Sequence, residues 1–245
     1  DTLLGKAAKY YLSVGDTVNW IIASQLESGH DYFKGDADSA VKRLEDVVGK
    51  TDNPELKWDC YVHLLEMYLM IQRYPEAYGC ADWLQRHTDV PEETLKFGLA
   101  KGASLYYSGG RAQAALTVCD SLIASGVVAK CPPEVAKEFY CEYAAILDGA
   151  GQSQKAIAVL DSVYSGNDSI DIVEEVNVDV PKAEFYANSG DMASARALLD
   201  SINHEATKSV FEVYACIGIL KAAIQYRETG RLPSEMMRRV VKTLH

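Results

Sequence analysis

Several stretches of this chain hold residue types that could do chemistry. Gly149-Ala150-Gly151-Gln152-Ser153-Gln154-Lys155 combines glycines, a hydroxyl and a lysine, the ingredients of a phosphate-cradling loop. Its spacing is not Gly-x-x-x-x-Gly-Lys-Ser/Thr, and helical rather than strand periodicity precedes it, so it reads as the turn of a helix pair. The histidines at 30, 63, 87, 204 and 245 form no His-x-x-x-His pair. Cys60 and His63 lie three residues apart and could share a helix face, but two donors do not make a metal centre. No metal and no cofactor is expected.

The cysteines at 60, 80, 119, 131, 141 and 216 show no Cys-x-x-Cys spacing. They are read as free buried thiols, with one or more disulfides as the alternative. Carboxylates are abundant, yet none sits in a recognisable catalytic motif, and a solvated acidic surface is the default. One acidic set recurs: Glu45, Asp82, Asp120, Asp161 and Asp200 each follow an apolar or cysteine residue in the same register. It could be a repeated ligand site, or an exposed edge beside a buried position.

That register comes from the elements that must position these residues. Gly151 is followed by Ala156, Leu160, Asp161 and Val163, and the pattern recurs from Gly110 to Ala115, Gly190 to Ala195 and Gly35 to Ala40, with Gln72 in place of glycine before Ala77. The alanines at 40, 77, 115, 156 and 195 are separated by 37, 38, 41 and 39 residues. Self-similarity at such a period predicts a solenoid of stacked units, each touching only its neighbours.

The helices follow from apolar spacing and caps. Residues 2–14 and 16–28 are expected helices, Asp16 capping the second and Trp20, Ile21, Ala23 and Leu26 giving its apolar face. A helix over 37–48 closes at Gly49, and Pro54 opens the next. Helices over 55–70 and 75–87, 92–108 and 111–125, and 133–148 and 153–164 form antiparallel pairs. Between Ser169 and Val180 the pattern fits a strand or a helical stripe, and its place in the repeat favours a helix, irregular or broken near Pro181. A long helix is expected over 204–229, then a last one over 234–244 whose face is basic through Arg238, Arg239 and Lys242.

Charge and hydropathy exclude some functions. Lysine and arginine total 24 against 35 aspartates and glutamates, a formal charge of -11, which repels phosphate backbones, so nucleic acid is not an expected partner. No apolar run approaches the ~20 residues of a membrane-spanning helix. The chain starts at Asp1 rather than methionine. Leader cleavage and trimming of the expressed chain both explain that start, and the first favours an extracytoplasmic (periplasmic or surface) location.

At this point the residues resemble the tetratricopeptide (TPR) repeat family. With the five alanines in the consensus alanine register, Tyr68, Tyr106 and Tyr186 take the consensus tyrosine place, with Leu147 in the Gly151 unit, and Ala103, Ala144 and Ala183 take the small-residue place. The consensus tryptophan and proline are missing, and the spacing exceeds the ~34 residues of the family. The resemblance covers about residues 16–244. It implies an all-α, right-handed α–α superhelix of five to six TPR-like helix pairs with a C-terminal capping helix. The whole chain, 1–245, would be one repeat domain with units near 16–50, 54–89, 92–127, 133–166, 169–203 and 205–245.

The resemblance also places ligands in a concave groove made by the first helix of each pair. Carried over, that groove holds Asp59, Val62, Glu66, Leu69 and Met70; Phe97, Ala100, Ser104, Tyr107 and Ser108; Glu138, Cys141, Ala145, Asp148 and Gly149; and Asn177, Val180, Glu184, Ala187 and Asn188. The Lys/Asn/Arg clamp by which some relatives hold a terminal carboxylate is absent. An acidic and apolar groove of this kind suits a polypeptide segment with basic and hydrophobic residues, Phe97, Tyr107, Leu69 and Met70 serving as anchors. The expectation is a non-enzymatic interaction scaffold. The alternative is a small-ligand receptor or enzyme with a pocket in the solenoid curve.

Overall fold

In a computed structural model of the chain, residues 2–164, 172–202 and 211–231 are described, the first six of each of the last two stretches by backbone alone. Among them all regular structure is helical. The α-helices are α1 (Leu3–Ser13), α2 (Thr17–Phe33), α3 (Ala37–Val48), α4 (Pro54–Met70), α5 (Tyr74–Arg86), α6 (Pro91–Tyr107), α7 (Ala112–Ala124), α8 (Pro133–Gly149), α9 (Ser153–Tyr164), α10 (Ile172–Ser189), α11 (Met192–Ser201) and α12 (Phe211–Thr229), with a 3₁₀ turn at Val128–Lys130. The chain forms two compact units, residues 1–132 and 133–245.

The turn glycines act as the repeat requires. Gly35, Gly151 and Gly190 have φ of 85°, 76° and 93°, the left-handed region that ends a helix without a Cβ clash. After each, the next amide donates back to the helix: Asp36 N to Asp31 O, Gln152 N to Leu147 O, and Asp191 N to Tyr186 O. Gln72, where the sequence departs from glycine, adopts φ 60° and keeps the same turn, with Arg73 N donating to Tyr68 O at 2.8 Å. The turn geometry therefore outlasts the residue type that usually carries it. Side-chain caps close the helix starts at Asp16, Asp36 and Asp191, which accept from Asn19, Ser39 and Ser194, and Asn53 accepts from Glu55 and Leu56 ahead of Pro54 at the first helical turn.

The key alanines Ala40, Ala77, Ala115, Ala156 and Ala195 are all fully buried, as helix crossings at close range demand. In unit 1 one core joins Val41, Leu44, Leu64, Leu65, Tyr68, Cys80, Ala81, Leu84 and Phe97. A second joins Ala8 of α1 to Trp20, Ile21, Ala23, Val47 and Cys60. Leu26, expected on the apolar face of α2 with Trp20 and Ile21, is 56% exposed instead, because the buried face of α2 turns towards Ser24, Glu27 and Ser28. In unit 2, Ala183, Ala187, Leu199, Ile202, Ile217 and Ile224 pack together.

The stretch whose pattern fitted either strand or helix is helical from Ile172 onward, and α10 continues through Pro181 without ending there. Proline leaves the Asn177 carbonyl without its intrahelical donor. Burial of Val178, Ala183, Phe185 and Ala187 offsets that loss. The helix expected over 204–229 is described from Phe211 as α12, and the helix expected over 234–244 lies outside the described residues.

Candidate functional site

The first helices α4 and α6 carry the groove residues of unit 1. On α4, Asp59, His63, Glu66 and Met70 are all exposed and fall on one helical stripe, while Val62 and Leu69 lie half-buried against the core. Met70 is 62% exposed, and the Tyr32 hydroxyl reaches its Sδ at 3.2 Å. On α6, Tyr107 is 52% exposed, and its ring stacks on Tyr74 of α5 at 5.9 Å and packs edge-on to Tyr106 at 5.1 Å. Met70 and Tyr107 are thus held in place at the same end of neighbouring first helices.

Two expected groove residues are corrected. Phe97 is only 3% exposed and sits edge-on to Trp58 at 5.4 Å, and Ser104 is 1% exposed and donates to Ala100 O at 2.7 Å. Phe97 joins the core that α4 and α5 form. Ala100 packs there too, and Ser108 is exposed at the helix end. The apparent Cys60–His63 pair also separates: Cys60 is buried, with Gln25 Nε2 donating to its Sγ at 3.4 Å, and His63 is exposed. Burial pushes the Cys60 thiol up to about 11 and the Cys80 thiol up to about 12, which keeps both protonated and unreactive. Cys119 is buried, and Cys131 and Cys141 are half-buried.

Unit 2 brings other expected residues together through polar groups. Asp148, at the end of α8, accepts from Ser153 Oγ at 2.6 Å and from Asn188 Nδ2 at 2.7 Å. The Arg227 guanidinium of α12 donates to Asn188 Oδ1 at 3.1 Å and to Ala187 O at 3.0 Å. Glu184 lies one turn before Asn188 on the same face of α10. Although its side chain is exposed, crowding around the carboxyl raises its pKa, with Asp148 adding to the rise and Arg227 opposing it. Sequence reasoning named Asp148, Glu184 and Asn188 but missed Arg227, which lies 39 residues after Asn188, one repeat away. Nearer the start of α8, Glu138 is exposed, and half-buried Cys141 approaches the Tyr164 hydroxyl at 3.4 Å.

The recurrent acidic register is largely accounted for by pairing to the next first helix. Asp82 meets Lys101 at 2.8 Å, Asp200 meets Lys221 at 2.6 Å, Asp161 pairs with Lys182, and Glu45 accepts from the Tyr68 hydroxyl. The readable signal was a lysine 19 or 21 residues after three of these acids. These pairs tie one repeat to the next, which makes them part of the scaffold rather than a ligand site.

Glu142 of α8 gives a pH test of unit 2. Burial, then the neighbouring Glu138 carboxylate, lifts its pKa above the ordinary 4.5. Between the unfolded value and the raised folded value, the native state holds a proton that the unfolded chain has released, so stability falls as pH rises through that window and stays lower above it. Glu142→Gln is expected to raise the melting temperature at about pH 7 and to leave it unchanged at about pH 3.5, as thermal unfolding at both pH values would read.

A cleft of about 600 Å³ lies beside the Tyr74–Tyr107 stack, lined by Tyr74, Tyr78, Leu105, Ser108 and Arg111 among others. Another, of about 420 Å³, lies between α11 and α12 over Leu199 and Ile224, with the Asp200–Lys221 and Arg196–Glu228 pairs on its walls. Among the described residues no group of three or more His, Cys, Asp or Glu side chains is placed to hold a metal ion, and no helix is long and apolar enough to cross a membrane.

No protein-family model matches the sequence, and no curated protein is significantly similar to it. Solved structures do resemble it. A crystal structure from Podosopora anserina, of a kinesin light chain with nearly identical TPR-like repeats, superimposes with a TM-score of 0.62 at 19% identity, covering 77% of this chain and 96% of that one. A substituted form of that same protein gives a TM-score of 0.64 at 19% identity, covering 77% of this chain and 95% of its own. At that identity the likeness is one of fold.

Proposed function

We infer, from a TPR-like helical-repeat fold as the premise, that this chain is a non-enzymatic scaffold whose first-helix face binds a polypeptide segment. The observation that carries the reading is the exposed stripe of α4, Asp59–His63–Glu66–Met70, together with exposed Tyr107 at the matching end of α6. Met70 and Tyr107 are large apolar groups held by Tyr32 and Tyr74, so they lose little freedom when a ligand covers them. Asp59 and Glu66 favour basic residues flanking the buried anchor. The segment best suited to this face pairs a hydrophobic side chain with lysine or arginine.

Peptide display on the folded chain would test this. Selected peptides are expected to combine apolar and basic residues, and a Tyr107→Ala/Glu66→Lys double variant with an unchanged circular dichroism spectrum should bind them at least roughly tenfold more weakly. Selection of acidic peptides, or equal binding by both proteins, would sink the reading. The cleft beside Tyr74 supports the small-ligand alternative. A compound that protects Tyr78 and Arg111 while no peptide binds would favour it.

A further inference from the structure

One apolar stripe of α2 stays exposed among the described residues, with the Tyr32 ring of the same helix edge-on to Phe33 at 6.0 Å. Val18, Ile22, Leu26 and Phe33 are 50%, 43%, 56% and 89% exposed, and with Gly29 they recur at i, i+4, i+8, i+11 and i+15. That spacing keeps all five within one sector ~80° wide, the seam that a second helix fills. Gly29 adds an independent clue. It lies inside the helix, its φ is not in the left-handed range, and a Cβ built there meets nothing within 4 Å. Glycine is the poorest helix former after proline, and nothing in the packing of the described residues calls for one here. A glycine in an apolar seam lets another backbone come close.

We infer that the seam is filled by α2 of a second copy of this chain, packed antiparallel about a two-fold axis between Gln25 and Leu26. In that register Val18 faces Phe33 of the other copy and Ile22 faces its Gly29, so small meets large along the contact. The charged ends match as well. Asp16, the N-cap of α2, comes to lie by Lys34 at the opposite end of the other helix, and the two helix dipoles run in opposition. The seam itself carries no charge, so two chains of net charge -11 meet where repulsion is least concentrated. The four exposed side chains offer roughly 400 Å² per copy, about half of the ~800 Å² per partner of a standard interface. A contact of that size makes the dimer weak and concentration-dependent.

Sedimentation of the chain over a concentration series tests this. The wild type should move from 26.9 kDa towards twice that mass as concentration rises. Gly29→Leu should stay monomeric at every concentration, and its fold should persist because its own chain leaves room for the side chain. Ile22→Asp should do the same. Under mild oxidation Leu26→Cys should cross-link to itself beyond any wild-type background, and Val18→Cys should not, since only a parallel pair would set Val18 against itself. A constant wild-type mass up to ~200 µM, a dimer that survives Gly29→Leu, or self-cross-linking at Val18→Cys would each overturn the inference. So would tight binding of a foreign amphipathic helix to a monomeric chain through Ile22.

Discussion

Replacing Phe139 by alanine is expected to destabilise unit 2 by about 3–5 kcal/mol, enough to unfold it locally at moderate temperature. Phe139 is 1% exposed on α8 and among the largest fully buried side chains of the described residues. Its ring lies edge-on to Tyr140 at 5.4 Å and parallel to Tyr143 at 6.0 Å, so truncation removes aromatic contacts as well as apolar burial. In a repeat array the damage stays near its origin. Hydrogen exchange should therefore show α8 and α9 opening first while α4 and α5 keep their protection. Uniform loss across both units, or a cost below ~1 kcal/mol, would contradict this account.

The second large effect is expected at Arg43→Met. Arg43 Nη1 meets Glu27 Oε2 at 2.7 Å, and Nη2 meets Asp31 Oδ2 at 2.9 Å. Glu27 is 7% exposed, and its other oxygen accepts from Thr2 Oγ1 at 2.9 Å. The carboxylate is wedged so tightly against α1 that a Cβ on Gly5 would come within 2.2 Å of it. Without the guanidinium, a nearly buried anion keeps one hydroxyl donor. Breaking a fully buried pair costs about 3–5 kcal/mol, and partial exposure of the arginine lowers the expectation to about 2–3 kcal/mol. Arg43→Met/Glu27→Leu should recover most of the loss, since the orphaned charge rather than the missing attraction is the main penalty. Urea denaturation of the wild type, both single variants and the double variant measures this, and additive single-variant losses would rule it out. Arg43 Nε is buried without an acceptor, so the wild-type pair is itself imperfect.

Much of the fold was legible because helix starts and stops are local chemistry. Asp16 and Gly49 cap and Pro54 opens α4 where the sequence placed them, and α9 runs over the expected 153–164. The recurrent alanines were readable because close helix crossings admit little else. The exposure of the expected groove positions was legible only in part. Met70 and Tyr107 are exposed at equivalent helix ends, but Phe97 and Ser104 are buried, because exposure depends on which neighbours pack against each position.

By itself, the sequence determined that this protein is built of helix pairs, where most of the described helices begin and end, and that its net charge is negative. Periodicity, caps and charge are properties of neighbours along the chain. Only the tertiary structure decided which acids are bound to lysines one repeat away, that Arg227 reaches Asn188, that Glu27 is buried under α1, and that an apolar stripe of α2 stays exposed among the described residues. Those outcomes depend on how far each helix rotates against the next, and the rotation is set by side chains that lie tens of residues apart.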